Sequence, residues 1–342
     1  MQTRYKAFWL NDDGFIDIID QTKLPFEEKI VTLQTSDDVI HAIKSMQVRG
    51  AGVIGNIASL GIYLASLQNS DMEFIRTEAK KIRESRPTAV NLMWAVDLMM
   101  ETGSNSHEVL LEKALSICDI DAKESKLIAE YGCDFFENIL EKKDKKTLNV
   151  LTHCNAGWLA IVDDGSALAP IYEAQRRGIA VHVWVDETRP RNQGANLTAW
   201  ELAKSGIKHT IIADNTGGYL MQQGMVDVCI VGADRVSANG DVANKIGTYL
   251  KALSAKDNDI PFLVALPLGT FDLNITDGVR DIPIEIRDED ELRVVQGVEI
   301  YPPNSPCLNY GFDITPARLI TGLVTKDGII KANESDIRGL FL

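Results

Sequence analysis

Over the first 33 residues, short apolar runs alternate with turn signals such as Asn11-Asp12-Asp13-Gly14, which predicts a small β-sheet. From Thr35 the period lengthens. Ser36-Asp37-Asp38 reads as a cap on a stretch in which Val39, Ile40, Ala42, Ile43 and Met46 recur at helical spacing. Helical patterns continue over 56–67, 72–84, 89–100, 107–117 and 124–140. The lysine-rich run Glu141-Lys142-Lys143-Asp144-Lys145-Lys146 then reads as a solvated linker. It sets the expected domain boundary, with a β-sheet and helical N-terminal domain over 1–146 and a second domain over 147–342.

Beyond Lys146 the pattern changes. Strand-like runs at 148–153, 180–186, 209–214, 226–234 and 261–265 are separated by helical segments such as 197–205. Strands and helices alternating at this length predict βαβ units and a parallel sheet, an α/β fold. Four successive runs end in polar groups: Cys154-Asn155, Asp186-Glu187-Thr188-Arg189, Asp214-Asn215 and Asp234-Arg235. Ligands of open α/β sheets bind outside the carboxyl ends of the strands, so these four ends define the expected site.

Charge narrows the partners. The 342 residues carry 35 Lys+Arg against 49 Asp+Glu, a net charge of −14. That balance argues against nucleic acid or an anionic membrane surface, which need an extended basic face. It leaves room for a local cluster of cations around one phosphorylated small molecule. The longest apolar stretch, 53–67, falls short of the ~20 residues of a membrane span and is interrupted by Asn56 and Ser59. The N-terminal segment lacks the apolar region and small-residue cleavage site of a signal peptide. Five widely spaced cysteines, with no metal-ligand spacing among them, predict free thiols in a reducing, cytoplasmic setting. The reading calls for no metal and no cofactor.

Several stretches carry candidate chemistry. Gly50-Ala51-Gly52-Val53-Ile54-Gly55 fits G-x-G-x-x-G, but a dinucleotide fingerprint follows a strand, and the preceding segment is itself helical. A milder reading remains, in which Arg49 and backbone N–H groups ahead of a helix receive one phosphate; a plain glycine-rich helical turn is the alternative. Cys154 ends a strand beside His153. Neighbouring strand side chains point to opposite faces, so His153 is a poor base for it. Cys154 is then an acid or base in its own right, or a structural thiol. Asp234 leaves an apolar strand, and partial desolvation there would raise its pKa into the range of a general acid; its alternative role is pairing with Arg235. Asn244-Lys245 suits a phosphate or a sugar hydroxyl. Arg86 and Arg189 each suit either an anion clamp or a structural ion pair.

Taken together, Arg49-Gly50-Ala51, SRPTAVN at 85–91, THCNAG at 152–157, ETRP, QGA and LTAWEL within 187–202, VGADR at 231–235, NKIGTY at 244–249, GTFDL at 269–273 and FDITP at 312–316 resemble the methylthioribose-1-phosphate isomerase family. The resemblance runs nearly end to end. Its fold is shared with regulatory subunits of the nucleotide-exchange factor of translation initiation and with ribose-1,5-bisphosphate isomerase. It implies a Rossmann-like C-terminal domain, a homodimer, and aldose–ketose isomerisation of 5-methylthioribose 1-phosphate in methionine salvage. It also implies that Cys154 and Asp234 are the catalytic pair, and that Arg49, Gly50, Ala51, Arg86, Gln193, Asn244 and Lys245 bind the substrate.

The chain departs from the family pattern at Gly52-Val53, Trp158, residues 215–218 and Tyr310-Gly311. Trp158 and the Gly217-Gly218 pair are expected to reshape the pocket around the 5-substituent. A related pentose 1-phosphate (5-deoxyribose 1-phosphate or ribose 1,5-bisphosphate) is therefore the competing substrate. A non-catalytic subunit binding a sugar phosphate or nucleotide is the competing class. The chemistry asks for an acid at the ring oxygen, assigned to Asp234, and for a carbon-side proton carrier, assigned to Cys154. Sequence does not separate proton from hydride transfer.

Overall fold

The computed structural model describes residues 7–86 and 89–342. Pro87 and Thr88 of the SRPTAVN stretch lie outside the described residues, as do the first six residues of the chain.

The N-terminal sheet forms as its alternation predicts. Strands β1 (Phe8–Leu10), β2 (Ile16–Ile19) and β3 (Ile30–Leu33) pair antiparallel in that order, with Phe8, Ile16, Ile18 and Leu33 buried. Helix α1 (Ser36–Lys44) begins one residue earlier than expected. Its N-cap is Thr35, whose Oγ1 accepts from the Asp38 N–H while the Asp38 carboxylate accepts from the Thr35 N–H, a closed capping box. Ser36 instead donates to buried Glu78 at 2.8 Å. Met46 falls beyond the helix, with φ +60°, and faces the cavity described below.

Helices α2 (Ala51–Gln68), α3 (Met72–Glu84), α4 (Val90–Met100) and α5 (His107–Lys143) follow. α2 is apolar on nearly every face, and helices α1, α3, α4 and α5 pack around it. By length and composition it is the one described helix apolar enough to cross a membrane, and most of it is buried inside the protein. The two segments predicted at 107–117 and 124–140 form one 37-residue helix. No Gly or Pro interrupts 118–123. Within the interval between them, Asp121 faces inward and accepts from Asn56 Nδ2 on α2 at 2.8 Å. The lysine-rich turn is likewise more than a solvated linker. Lys143 and Lys145 lie 3.0 and 2.6 Å from the fully buried Asp227 carboxylate, which also accepts from the Asn149 N–H.

That contact anchors the start of β4 (Thr147–Thr152), the first strand of a parallel sheet continued by β5 (Ala180–Asp186), β6 (Lys208–Ile212), β7 (Val228–Val231) and β10 (Phe262–Ala265). Helices α6 (Ala169–Arg176), α7 (Ala199–Lys204), α8 (Thr216–Gln222) and α9 (Thr248–Asp257) connect them. Strands β8 (Arg235–Ser237), β9 (Val242–Lys245), β11 (Phe271–Asp272) and β12 (Phe312–Thr315) form a second sheet in the order β11-β8-β9-β12. The main sheet is completed by β13 (Gly322–Thr325), parallel to β10, and by the antiparallel edge strand β14 (Gly328–Ile330). Its order is β14-β13-β10-β7-β4-β5-β6, so the chain reverses direction between β4 and β7. The central strand β7 is buried throughout, as an apolar run in a parallel sheet should be. It stops at Val231, shorter than the predicted 226–234, and Gly232-Ala233-Asp234 turn out of the sheet towards β8.

Candidate active site

A cleft opens where β4 and β7 diverge, the position at which open α/β sheets bind ligands. After Thr152 the backbone turns sharply, and Cys154 takes the left-handed conformation with φ +66°. Its N–H donates to Thr188 Oγ1 at 2.8 Å, and its carbonyl accepts from Thr198 Oγ1 at 2.7 Å. The main chain is thus held on both sides while the half-buried thiol faces the cavity. His153 also borders the cavity, but its ring nitrogens are fully engaged with Asp186 and the Ile246 carbonyl.

Arg49 and Gly50 reach the same cavity from the turn before α2. Gly50 has φ +92°, and a Cβ there would stand 2.5 Å from Ala160, so only glycine fits. The Val53 N–H in the first helical turn is taken by the Ala160 carbonyl. Among the described residues the N–H groups of Ala51 and Gly52 have no partner, which leaves the positive end of an 18-residue helix aimed at the cleft. The helix is preceded by α1 and a turn, not by a strand, which removes the dinucleotide reading.

From the opposite side come Asp234, Asn244 and Lys245. Surrounding protein raises the Asp234 pKa by desolvation, against the opposing pull of Lys245, Arg86, Arg49 and Arg287. The carboxyl nevertheless presents much of its surface to the open cavity. Arg235, its sequence neighbour, reaches Asp272 instead. Burial lowers the Lys245 pKa, although the nearby Cys154 and Asp234 oppose the shift; its ammonium donates to the Gly311 carbonyl at 3.0 Å. Arg86 is also lowered, by desolvation and then by the adjacent Arg287. Gln193 lines the cavity with its Oε1 buried and without a partner among the described residues.

The structure therefore gathers around one cavity all nine residues that the resemblance implies, and it separates the two ambiguous arginines. Arg86 lines the cavity, whereas Arg189 donates to the carbonyls of Pro190 and Leu292 as a loop brace. Two participants were not anticipated. Arg287, from the short strand Ile286–Arg287, brings a fourth cation to the cavity, its side chain only 7% exposed and paired with Glu291. No motif surrounds it. Glu201, inside the LTAWEL stretch, is fully buried, with its pKa raised to about 7 chiefly by desolvation. It accepts from Asn155 Nδ2, from the Trp158 and Leu159 N–H groups and from the Tyr172 hydroxyl.

The cleft has two compartments. One is lined by Arg49, Arg86, Arg287, Lys245, Cys154 and Asp234 among others. The adjoining one is lined largely by Ile54, Ala89, Val90, Ile282, Pro283, Ile284 and Phe312. Gly50, Ala51, Arg86, Asp234 and Phe312 face both. Two expected pocket-shaping departures do not reach either compartment. Trp158 is buried against Trp200, ring centroids 5.5 Å apart, and Gly217 and Gly218 on α8 pack against Leu151 and Ser254. Gly311 does bear on the site, because a Cβ there would lie 2.7 Å from Arg287 Cδ.

Residues 30–332 match the initiation factor 2 subunit family. The methylthioribose-1-phosphate isomerase of Sulfurimonas denitrificans is 58% identical over 357 aligned positions, covering 100% of this chain and 99% of that protein. The crystal structure of 5-methylthioribose 1-phosphate isomerase from Pyrococcus horikoshii superposes with a TM-score of 0.89 at 35% identity, covering 98% of this chain and 95% of that one. The structure of the delta subunit of translation initiation factor eIF-2B from A. fulgidus gives 0.83, also at 35% identity, with 97% and 98% covered. The chain belongs to the initiation factor 2 subunit family and, within it, to the methylthioribose-1-phosphate isomerases.

Proposed function

We propose that the chain converts 5-methylthio-D-ribose 1-phosphate to 5-methylthio-D-ribulose 1-phosphate, with Cys154 and Asp234 as its proton carriers. The observation that carries this is the union of a four-cation compartment with an apolar one across Asp234. In a chain of net charge −14, four converging cations need a specific anion. A phosphate at C1 supplies it, received by Arg49, Arg86, Arg287, Lys245 and the N–H groups of Ala51 and Gly52. Gln193 and Asn244 take sugar hydroxyls, and the 5-methylthio group enters the apolar side.

The anomeric oxygen of the substrate is esterified, so opening the ring breaks C1–O4 directly. Asp234, protonated, delivers its proton to O4 as that bond breaks. Desolvation favours this state, and phosphate binding adds to it, since the dianion offsets the same cations that oppose the upward shift of Asp234. The Cys154 thiolate then removes the C2 proton, and the C2–H electrons become the C1–C2 double bond of an enol. Return of the proton to C1 and loss of the O2 proton to Asp234 give the ketose and restore both groups.

The same reading extends to a Rossmann-like C-terminal domain joined at 146/147 to the N-terminal domain, a cytoplasmic location and a homodimer. A regulatory, non-catalytic role is disfavoured because binding alone has no use for a thiol and a carboxyl facing one cationic pocket. The test is turnover of pentose 1-phosphates differing at C5, run in deuterated water. The methylthio sugar should be the best substrate, with deuterium entering C1. Loss of the preference would overturn the substrate assignment, and unlabelled C1 would replace the enol with a direct hydride shift from C2.

A further inference from the structure

His153 lies immediately before Cys154 and is 1% exposed, yet it has no part in the chemistry above. Its Nε2 is 2.8 Å from the Ile246 carbonyl oxygen, which only accepts, so Nε2 carries hydrogen. Its Nδ1 is 2.9 Å from Asp186 Oδ2, and that contact holds one further proton on one atom or the other. Both ring nitrogens are spent, and the ring cannot take a proton from Cys154.

What the ring does is join two pieces of backbone. Ile246 directly follows Lys245, as Cys154 directly follows His153. The loop wraps closely: at Gly247, with φ +102°, a Cβ would be 3.1 Å from His153 Cε1. The charged groups around the ring come from separate elements. Asp186 ends β5, Asp214 follows β6, Lys251 lies on α9 and Asp313 on β12. Asp313 accepts from the Gly247 and Tyr249 N–H groups and so fixes the same loop. Asp214 accepts from the Thr188 and Arg189 N–H groups, and Thr188 in turn receives the Cys154 N–H. His153, Asp186 and Asp214 gather in the manner of a small metal site. The cation there is the Lys251 ammonium, 3.2 Å from Asp186 Oδ2 and bonded to the Asp214 carbonyl.

We infer that His153 is a positioning residue: braced by Asp186 and Lys251, it fixes the Cys154 thiol and the Lys245 ammonium relative to each other across the cleft. This rests on Cys154 being a reacting group. A small displacement of a reacting atom costs about 100-fold in rate, so His153→Gln in the full-length protein should lower kcat about 100-fold. KM should rise by a smaller factor than kcat falls, since Arg49, Arg86 and Arg287 stay in place and only Lys245 of the phosphate-binding cations shifts. Asp186→Asn should give the same split, and the double variant should be no worse than the worse single one. Alkylation of Cys154 by iodoacetamide, followed by peptide mass spectrometry, should change in rate in each variant, which a purely structural role would not produce. If His153→Gln does not fold, Asp186→Asn is read by the same two measurements.

A folded variant with kcat within threefold of wild type and unchanged alkylation overturns the inference. Turnover retained by Cys154→Ala would instead overturn the underlying mechanism. An inactive Cys154→Ala beside a fully active His153→Gln rejects the brace alone.

Discussion

Arg49 is clamped by Asn155: one guanidinium nitrogen donates to Asn155 Oδ1 at 2.6 Å and another to the Asn155 carbonyl at 2.8 Å. Asn155 is held in turn by Glu201 and Thr198, so a buried carboxyl aims a cation at the phosphate compartment from one step away. Hydrogen bonds to charged groups are worth roughly 1.5–3 kcal/mol, or about 10- to 100-fold. Asn155→Ala should therefore raise KM by about that factor with kcat less affected, and Arg49→Lys should do the same because the fork geometry is lost. Arg287→Ala should raise KM similarly, which steady-state kinetics on the sugar phosphate will read.

The pH profile follows from Asp234. Its pKa is raised by desolvation, and the mechanism needs the protonated form. Activity should be present below that pKa and fall as pH rises through it. The basic limb of kcat/KM should accordingly lie above the ordinary carboxylate range and vanish in Asp234→Asn. A basic limb that persists in a residually active Asp234→Asn would assign it to another group.

Stability should carry the opposite signature of a buried, paired acid. Asp121 and Glu201 are both pushed up to about 7 by desolvation. Between the unfolded carboxylate pKa of about 4 and that value, the folded state binds more protons than the unfolded state. Their contribution is therefore full below pH 4 and declines as pH rises towards 7. Denaturant unfolding of Asp121→Asn across this window should show a shallower decline than wild type.

Selectivity at C5 rests on the apolar compartment. A 5-deoxy sugar leaves it partly unfilled, and a group of this size in an apolar pocket is worth about 1–3 kcal/mol, or 10- to 200-fold. The ratio of kcat/KM for the methylthio over the 5-deoxy substrate should fall in that range. Ile282→Ala, which removes a buried side chain from the lining, should narrow it. Ribose 1,5-bisphosphate should be the poorest of the three, because its second phosphate would enter the apolar side.

Much of this was legible in the sequence because period and strand-end polarity are local properties. The strand pattern places β5 and the helical period places α3 to the residue, and the polar ends of β4 and β7 mark Cys154 and Asp234. The misses were interactions between distant residues. The pattern lapses over 118–123, where Asp121 is buried against Asn56 on another helix, and the lysine-rich run reads as solvated although Lys143 and Lys145 pair with the distant Asp227. Arg287 sits in an irregular segment with no periodicity, and only the fold brings it to Asp234 and Arg86. Trp158 looked like a pocket residue by its place after THCNAG, yet its side chain packs against Trp200.

In the proposed mechanism the Cys154 thiol and the Asp234 carboxyl facing this cationic cleft carry the isomerisation. This mechanism is tested most directly by single-turnover conversion of 5-methylthioribose 1-phosphate with wild type, Cys154→Ala and Asp234→Asn, substrate binding being verified by calorimetry. Wild type should convert the substrate, and both variants should retain binding with a rate lower by about 10²- to 10⁴-fold or more. Conversion at the wild-type rate by either variant would contradict the mechanism.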